Sequence, residues 1–216
     1  MSISKTYAVF GLGRYGRAVA EELVKHGVEV LAVDIEQNNV NNAIETIPMC
    51  KCADVTEPEV IKRLGISNID VVIVAMASNL EASVMAVTLC KEVGVPNVIV
   101  KCSNEMHQKI LSRVGADKVI FPEKESGTRL ARNILSSGFS EMIELSDDVA
   151  MVEISVKEEW IGKHLIELNL RKKYSVNVIA IRKEGNIDIM VDPSLPLEED
   201  MKLIVIANTN KLEKLK

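Results

Sequence analysis

Short apolar runs alternate with amphipathic stretches along the chain up to Phe121. The runs are apolar almost throughout, which is typical of strands buried on both faces of a parallel sheet. The predicted strands are Thr6–Phe10, Glu29–Val33, Thr46–Cys52, Asp70–Ala75, Asn97–Lys101 and Lys118–Phe121. The predicted helices between them are Tyr15–His26, Glu36–Glu45, Glu57–Leu64, Leu80–Val93 and Glu105–Val114. Strands and helices in this order, joined by right-handed crossovers, predict an α/β Rossmann-like fold with a doubly wound parallel sheet.

The pattern changes after Pro122. One amphipathic helix is predicted over Gly127–Leu135, and the segment SSGFS that follows it ends that helix. The rest of the chain predicts a small α+β domain, with strand-like alternation over 142–156, a helix over about Ile161–Lys173, and strands near Asn177–Arg182, Asp188–Val191 and Lys202–Ala207. With the boundary near Ser136–Ser140, the predicted domains are residues 1–135, which include a linking helix, and residues 136–216.

Composition narrows the class of protein. Hydrophobic residues make up 47% of the chain and charged residues 26%, as in an ordinary globular protein. No apolar run is long enough to cross a bilayer, and a strand starts too early to leave room for a signal peptide, so we expect a cytoplasmic protein. The net charge of −5 and the lack of a Lys/Arg cluster argue against a nucleic-acid partner.

The four cysteines suggest no special chemistry. Cys50, Cys52, Cys90 and Cys102 show neither a disulfide framework nor the spacing of a zinc site. They are predicted to be buried thiols in a reducing compartment.

The segment FGLGRYG, residues 10–16, carries the clearest chemical signal. Gly11 permits a tight turn after the first strand, Gly13 lets backbone amides approach a phosphate, and Gly16 lets the following helix pack against the sheet. The amides at the start of that helix form a seat for an anion. Asp34, at the end of the second strand, can accept hydrogen bonds from both ribose hydroxyls and would repel a 2′-phosphate. Together these features predict nucleotide binding, while the alternative is that the glycines only permit close packing.

Four further candidates stand where later strands end. Asp54 could accept a hydrogen bond from an adenine amino group, and Asn79 either touches the ligand or caps the helix that it opens. Lys101 and Glu123 either contact the ligand or mark where the chain leaves the sheet.

Arg14 bears on the kind of nucleotide. It lies between the second and third glycines, where its guanidinium could pair with a terminal phosphate such as that of ADP or ATP. NAD has only the bridged pyrophosphate, which the backbone amides already serve. The alternative is an exposed arginine on the first helical turn. Tyr15, beside it in the motif, belongs to the same candidate set.

The chain lacks the sequence signs of catalysis. His26, His107 and His164 stand in no recognisable catalytic setting, and there is no Tyr-x-x-x-Lys pair, nucleophile elbow, Walker-type lysine loop or metal-ligand cluster. No catalytic residue is predicted, and binding without chemistry is favoured. A small NAD-dependent oxidoreductase is the alternative. An NADH-sensing transcription regulator is a third possibility, but it would need a basic helix-turn-helix that neither terminus supplies.

Several motifs together resemble one known family. They are FGLGRYG, LAVD (31–34), AD (53–54), VVIVAMASN (71–79), NVIVKCSN (97–104) and GADKVIFPEKESG (115–127), followed by the looser LNLRKKYSVNVIAIRKEG (168–185) and PSLPLEEDMKLIVIA (193–207). The chain resembles the RCK (KTN) domain family, the TrkA/KtrA-type regulatory subunits of bacterial potassium transporters, over nearly its whole length.

The resemblance implies a gating subunit that binds nucleotide without reacting with it. Such subunits form homodimers that assemble into an octameric ring at the inner face of the membrane, beneath a membrane-embedded transporter, and they respond to ATP/ADP or NAD/NADH. It implies nucleotide contacts at the three glycines, Asp34 and Asp54. Arg14 would reach a γ-phosphate, in a neighbouring subunit in some arrangements, and Glu123 would help to hold a cation near the phosphates.

The resemblance also implies a second ligand. In several relatives cyclic di-AMP binds the C-terminal domain at a dimer interface. Arg171, Asn177 and Ile179 fall where that site would lie.

Overall fold

The computed structural model describes residues 5–135, 141–146 and 148–215. The chain divides into two compact units, Met1–Glu125 and Ser126–Lys216. The predicted boundary segment 136–140 lies outside the described residues, so the domain bounds 1–135 and 136–216 stay a prediction.

The first unit is built on a six-stranded parallel sheet in the order β3-β2-β1-β4-β5-β6. Its strands are β1 (Tyr7–Phe10), β2 (Val30–Asp34), β3 (Met49–Cys52), β4 (Val71–Val74), β5 (Asn97–Lys101) and β6 (Lys118–Ile120). Its helices are α1 (Arg14–Lys25), α2 (Gln37–Ala43), α3 (Pro58–Arg63), α4 (Leu80–Glu92) and α5 (Glu105–Val114), with a 3-10 turn at Ile66–Asn68.

The sheet is covered on both faces. Every residue of β2 and β4 is buried, and one hydrophobic cluster lies on each face of the sheet. Phe10 and Val9, neighbours on β1, point into the two different clusters. The Rossmann-like doubly wound fold is therefore confirmed.

A long helix, α6 (Pro122–Leu135), runs across the point at which the two units divide. The second unit continues with β7 (Glu141–Ser146), β8 (Val149–Ser155), α7 (Leu165–Leu168), α8 (Leu170–Tyr174), β9 (Val176–Lys183), β10 (Asn186–Asp188) and β11 (Lys202–Asn208). Two 3-10 turns, Glu158–Trp160 and Thr209–Leu215, complete it. The strands form an antiparallel sheet in the order β10-β9-β11-β8-β7, and Trp160, Leu203 and Val205 lie in the core on one face. The predicted small α+β domain is confirmed.

Three predicted elements differ from the structure. The helix predicted over Ile161–Lys173 is two short helices, because Asn169 adopts a left-handed conformation with φ of 46°. The strand predicted over Asp188–Val191 is wrong except for its first residue, since a tight turn at Gly185 (φ 84°) brings Asn186–Asp188 into the hairpin instead. Helix α6 begins at Pro122 rather than Gly127, as proline is favoured in a first helical turn.

Within the residues described, the structure contains no helix long and apolar enough to cross a membrane.

Candidate nucleotide-binding site

The glycine turn between β1 and α1 is closed by backbone contacts. Gly11 has φ of 90°, and its amide donates to the carbonyl of Val33 at 2.8 Å. A Cβ atom on Gly16 would lie 1.9 Å from the carbonyl oxygen of Gly11. Gly16 must therefore lack a side chain so that α1 can pack against the turn.

Gly13 differs from these two glycines. A Cβ atom built on it meets nothing within 4 Å, and its φ of −63° is open to any residue. Within α1, which the structure describes throughout, the first turn carries no acidic side chain and Gly13 provides no side-chain cap. The space above the amides suits an anion that approaches more closely than a side chain would allow.

Asp34 is buried, with 7% of its surface exposed. Its Oδ2 atom accepts hydrogen bonds from the amide of Leu12 at 2.6 Å and from Nδ2 of Asn39 at 3.1 Å. Its Oδ1 atom accepts from the amide of Glu36 at 2.8 Å. The carboxylate thus fixes the glycine turn and the start of α2 together, a structural role that the sequence did not reveal.

A cleft of about 430 Å³, here called the Asp34 cleft, opens at the carboxyl ends of β1 to β4. Polar groups on its lining include Asp34, Asn39, Asp54, Thr56, Asn79 and Glu81. The apolar part of the lining includes Val33, Ile35, Val55, Met76 and Met85. An apolar slot with a few polar groups is the usual form of a small-molecule site.

Two residues of the Asp34 cleft that were predicted to contact the ligand also form hydrogen bonds within the protein. Oδ1 of Asp54 accepts hydrogen bonds from the amide and the hydroxyl of Thr56, at 2.9 and 2.6 Å. Oδ1 of Asn79 accepts from the amide of Ala82 at 3.0 Å, so Asn79 caps α4 while it lines the cleft. Capping, one of the two alternatives for Asn79, is therefore observed, and contact of Asn79 with a ligand in the cleft stays a prediction.

A second hollow of about 550 Å³, here called the Lys101 hollow, lies on the other side of Gly13. Its lining includes Gly13, Arg14, Tyr15, Lys101 and Glu123, and it shares Gly13, Ala75 and Ser78 with the Asp34 cleft. The two spaces therefore meet over the first turn of α1. The structure brings all the predicted first-unit candidates except Gly16, which is buried in the turn, to their combined surface.

An ion pair lines the Lys101 hollow. Nζ of Lys101 lies 2.6 Å from Oε1 of Glu123 and 5.5 Å from the ring centre of Tyr15. The hydrogen bond from Lys101 lowers the pKa of Glu123, and the charge of Arg14 adds to the effect. Burial raises the pKa of Tyr15, as do the charges of Glu125 and Glu123. Both Lys101 and Glu123 were predicted as separate candidates, and their pairing was missed because it depends on side-chain geometry.

Glu123 does not form a metal site by itself. Among the described residues, no group of three or more His, Cys, Asp or Glu side chains could hold a metal ion. The nearest partner of Glu123 is a cation, Lys101. The cation implied by the resemblance stays a prediction.

The cysteines are only partly as predicted. Cys90 and Cys102 are buried, and burial raises the pKa of Cys90 to about 12. Cys52 is exposed and Cys50 is half-buried, because β3 is an edge strand of the sheet. The prediction that all four thiols are buried is therefore wrong for this pair.

The second unit contains a shallower hollow of about 330 Å³, here called the Arg171 hollow. Both Arg171 and Asn177 line it, together with apolar residues such as Ile166 and Pro193. Ile179 is not part of this lining. It is the extra residue of a β-bulge, since Val178 and Ala180 pair with consecutive residues of β11 and Ile179 lies between them.

Both parts of the chain match known domain families. The TrkA-N domain family matches residues 7–122, and the TrkA-C domain family matches residues 149–216. The first match holds the glycine turn, Asp34, Lys101 and the start of α6.

Known relatives match the chain over nearly its whole length. Ktr system potassium uptake protein C of Bacillus subtilis (strain 168) is 34% identical over 98% of this chain and 96% of its own length. Ktr system potassium uptake protein A of the same organism is 35% identical over 98% of this chain and 95% of its own length.

Among solved structures, the GsuK channel bound to NAD superposes with a TM-score of 0.64 at 15% identity. The match covers 99% of this chain but only 39% of the GsuK chain, so this chain spans about two fifths of that protein. At this identity the likeness shows a shared fold. Because the TrkA-N family covers more than half of the chain and the Ktr proteins match it end to end, the chain belongs to the TrkA/Ktr family of potassium uptake proteins.

Proposed function

We propose that this protein is a non-catalytic regulatory subunit of a Ktr- or Trk-type potassium uptake system, and that an adenine nucleotide bound to its first unit controls ion flux. The observation that carries the proposal is the open space above Gly13, where the Asp34 cleft and the Lys101 hollow meet over the amides of α1. That space has room for a phosphate and the charge to hold one.

The two spaces suit the two ends of a nucleotide. The Asp34 cleft offers an apolar slot for adenine, with Asp34 beside the ribose and Asp54 near the base. Its carboxylates disfavour phosphate there, so the anionic tail would pass over Gly13 towards Arg14 and Lys101. The same charges argue against a 2′-phosphorylated dinucleotide.

Arg14 favours ATP or ADP over NAD as the regulatory ligand. It is exposed at the rim of the Lys101 hollow, where a terminal phosphate could reach it from the same chain or from a neighbouring one. A charge-assisted hydrogen bond of this kind contributes about 1.5–3 kcal/mol. A ligand that makes the contact in only one arrangement of the assembly shifts the balance between arrangements.

Substitution of Arg14 tests this role. Arg14→Ala should lower ATP affinity about tenfold, the equivalent of roughly 1.4 kcal/mol, and leave ADP affinity nearly unchanged. Titration calorimetry with ATP, ADP, NAD and NADH measures the preference directly. Arg17→Ala is the matched control, because Arg17 lies on the same helix, pairs with Glu21 at 2.8 Å and lines neither space.

Equal losses for ATP and ADP in the Arg14 variant would contradict a role at the γ-phosphate. Absence of heat with all four nucleotides would contradict the proposed function itself.

A cyclic di-AMP site in the second unit stays a prediction. Its support is that Arg171 and Asn177 share one hollow with an apolar lining, which offers charge for a phosphate and a surface for a base. Addition of cyclic di-AMP to a thermal-unfolding assay should raise the melting temperature if it binds. Ile179 would have to contact the ligand from outside the hollow of a single chain.

A small NAD-dependent oxidoreductase is the alternative function, and Lys101 is the observation that favours it. A lysine beside the crevice could transfer a proton, whereas no histidine is found among the described residues that line either space. Lys101 forms an ion pair with Glu123. An ion pair of this kind suits a residue that responds to the charge of a ligand better than a residue that donates a proton in catalysis. Steady consumption of NADH with a carbonyl substrate would favour the enzyme.

A family relationship supports the proposed partner and place of action. The Ktr relatives are potassium uptake proteins by name, and the present chain matches them end to end. We propose that it acts at the inner face of the cell membrane through a membrane-embedded transporter subunit, as homodimers assembled into a ring of eight chains.

A further inference from the structure

Lys101 and Glu123 differ sharply in their surroundings. The side chain of Lys101, at the end of β5, is 15% exposed, whereas that of Glu123, in the first turn of α6, is 62% exposed. A lysine side chain that is mostly shielded from water is stabilised by a nearby negative charge, because its hydration is reduced. Glu123 supplies that charge in the present structure.

The same ammonium lines the space proposed for the phosphate tail. Lys101, Glu123 and Arg14 all line the Lys101 hollow beside Gly13. A phosphate that enters this space would offer Lys101 a second anion and would face the carboxylate of Glu123 as a like charge. The phosphate and Glu123 therefore compete for one cation.

The ion pair also holds a helix end. Near its start, α6 is fixed to the first unit by Lys101–Glu123, by the ion pair Lys124–Glu105 and by a hydrogen bond of 3.3 Å from the amide of Phe121 to Glu125. Only the first of these three contacts lines the Lys101 hollow. Because α6 continues into the second unit, its first turn is where ligand charge could act on the link between the units.

We infer that Lys101 is exchanged between Glu123 and the anionic tail of the nucleotide, so that a longer phosphate tail breaks the Lys101–Glu123 ion pair and loosens the first turn of α6. This inference rests on the proposed function, since it requires a nucleotide tail over Gly13. It assigns to Lys101 a role in specificity and to Glu123 a role as competitor of the ligand.

A double-mutant cycle tests the exchange. ATP affinity is measured by calorimetry in EDTA, which prevents any cation from bridging Glu123 to phosphate, for wild type, Glu123→Gln, Lys101→Gln and the double variant. Removal of the competitor should tighten ATP binding by about two- to fivefold, the range expected for a partly exposed ion pair. In the Lys101→Gln background the same change should have a clearly smaller effect, because only the direct repulsion between Glu123 and the phosphate remains.

The matched control is Glu105→Gln. It breaks the other ion pair at the start of α6 without touching the Lys101 hollow, so it should leave ATP affinity unchanged. If Glu123→Gln tightens ATP binding equally with Lys101 and with Gln at position 101, the effect is simple repulsion between Glu123 and the phosphate. That result would overturn the proposed exchange of Lys101 between two anions. Weaker or unchanged ATP binding in the Glu123→Gln variant would overturn it as well.

Hydrogen exchange gives an independent measurement in the unmodified protein. Amides of α6 near Glu123 should exchange faster with ATP bound than with ADP bound. If these amides exchange hydrogen at the same rate with ATP bound as with ADP bound, the proposed change of partner at Lys101 is wrong. Nucleotide binding itself would not be affected by that result. If neither nucleotide binds the wild-type protein, the proposed function fails first, and the inference fails with it.

Discussion

The glycines of the turn show how differently one residue type can serve a site. Gly16 is required by packing, since its Cβ would meet the Gly11 carbonyl oxygen at 1.9 Å. Gly13 meets nothing, so the fold alone does not explain why a side chain is missing there. We infer that Gly13 is a glycine because it leaves space for the ligand, and that Gly16 is a glycine because the protein could not pack otherwise.

Alanine at these two positions should separate stability from binding. Gly16→Ala should lower the free energy of unfolding by about 3 kcal/mol because of overpacking. Gly13→Ala should change it by no more than about 1 kcal/mol and should weaken nucleotide binding about tenfold, since the methyl group would occupy the phosphate space. Urea denaturation and calorimetry on both variants measure the two effects.

The opposite pattern, with an unstable Gly13→Ala protein or with unimpaired binding, would contradict the assignment of Gly13 to a phosphate.

For single residues, the sequence predicted where a side chain lies in the fold better than it predicted the hydrogen-bond or ion-pair partner of that side chain. Spacing alone placed Asp34 at the end of a strand beside the glycine turn. It did not show that the carboxylate also binds the amide of Leu12, or that Lys101 reaches Glu123, because such contacts depend on rotamers and on where loops end.

Among the elements, the strands of the second unit's sheet are connected by two ion pairs of one largely buried glutamate. Glu153 on β8, whose side chain is 8% exposed, accepts from Nε of Arg182 on β9 at 2.7 Å and pairs with Nζ of Lys202 on β11 at 3.1 Å. These ion pairs link three neighbouring strands. Burial alone would raise the pKa of Glu153, but the hydrogen bonds from Arg182 and Lys202 outweigh it and lower the pKa.

The Glu153→Gln variant should therefore be less stable than wild type by about 1–3 kcal/mol at neutral pH, because Arg182 and Lys202 lose the negative charge of Glu153. A lowered pKa stabilises the fold above the ordinary value of 4.5, and this contribution is lost as the pH falls through the folded pKa. The difference between variant and wild type should shrink below pH 4.5. Trp160, the single tryptophan, lies in the hydrophobic core of the second unit, so its fluorescence during denaturation reports on the unfolding of this unit.

An exposed pair serves as the control. Glu198→Gln removes the partner of Lys183 at a half-exposed site and should change stability by less than about 1 kcal/mol. A Glu153→Gln protein as stable as this control would contradict the importance of the buried pairs.

The elements themselves were predictable where their apolar pattern was unbroken. Strands such as β4 are buried on both faces, so they could be located within a residue or two. The region after Ile161 could not be predicted as well, because the break at Asn169 comes from one residue in a left-handed conformation. Nothing in the spacing of its apolar neighbours signals that break.

For the whole molecule, the exposed apolar side chains point to assembly. Leu130 and Ile134 on α6 are 60% and 69% exposed, four residues apart on one face of the helix. Exposure of these two neighbouring apolar side chains to water is unfavourable, and a second copy of the chain could bury them.

Charged substitutions should reveal the contact. The purified chain should have a mass well above 23.8 kDa by light scattering, and the double variant Leu130→Asp/Ile134→Asp should have a lower mass. Ile44→Asp is the control, since Ile44 is 54% exposed directly after α2, which packs near β3 at the edge of the sheet opposite to β6, whereas α6 follows β6. A wild-type protein that stays monomeric would contradict the ring, and an unchanged mass for the double variant would contradict the role of α6.

The hydrogen bond from the Leu12 amide to Asp34 limits how the ligand preference of this protein could change. Replacement of an acidic ribose-binding residue by a neutral or basic one is the simplest way to admit an additional phosphate on the sugar. If Asp34 binds the ribose as proposed, its carboxylate also holds the glycine turn and Asn39 in place, so that replacement would also remove the support of the turn. A redesign towards NADP would therefore need a compensating acceptor for the Leu12 amide, and evolution by single substitutions would face the same obstacle.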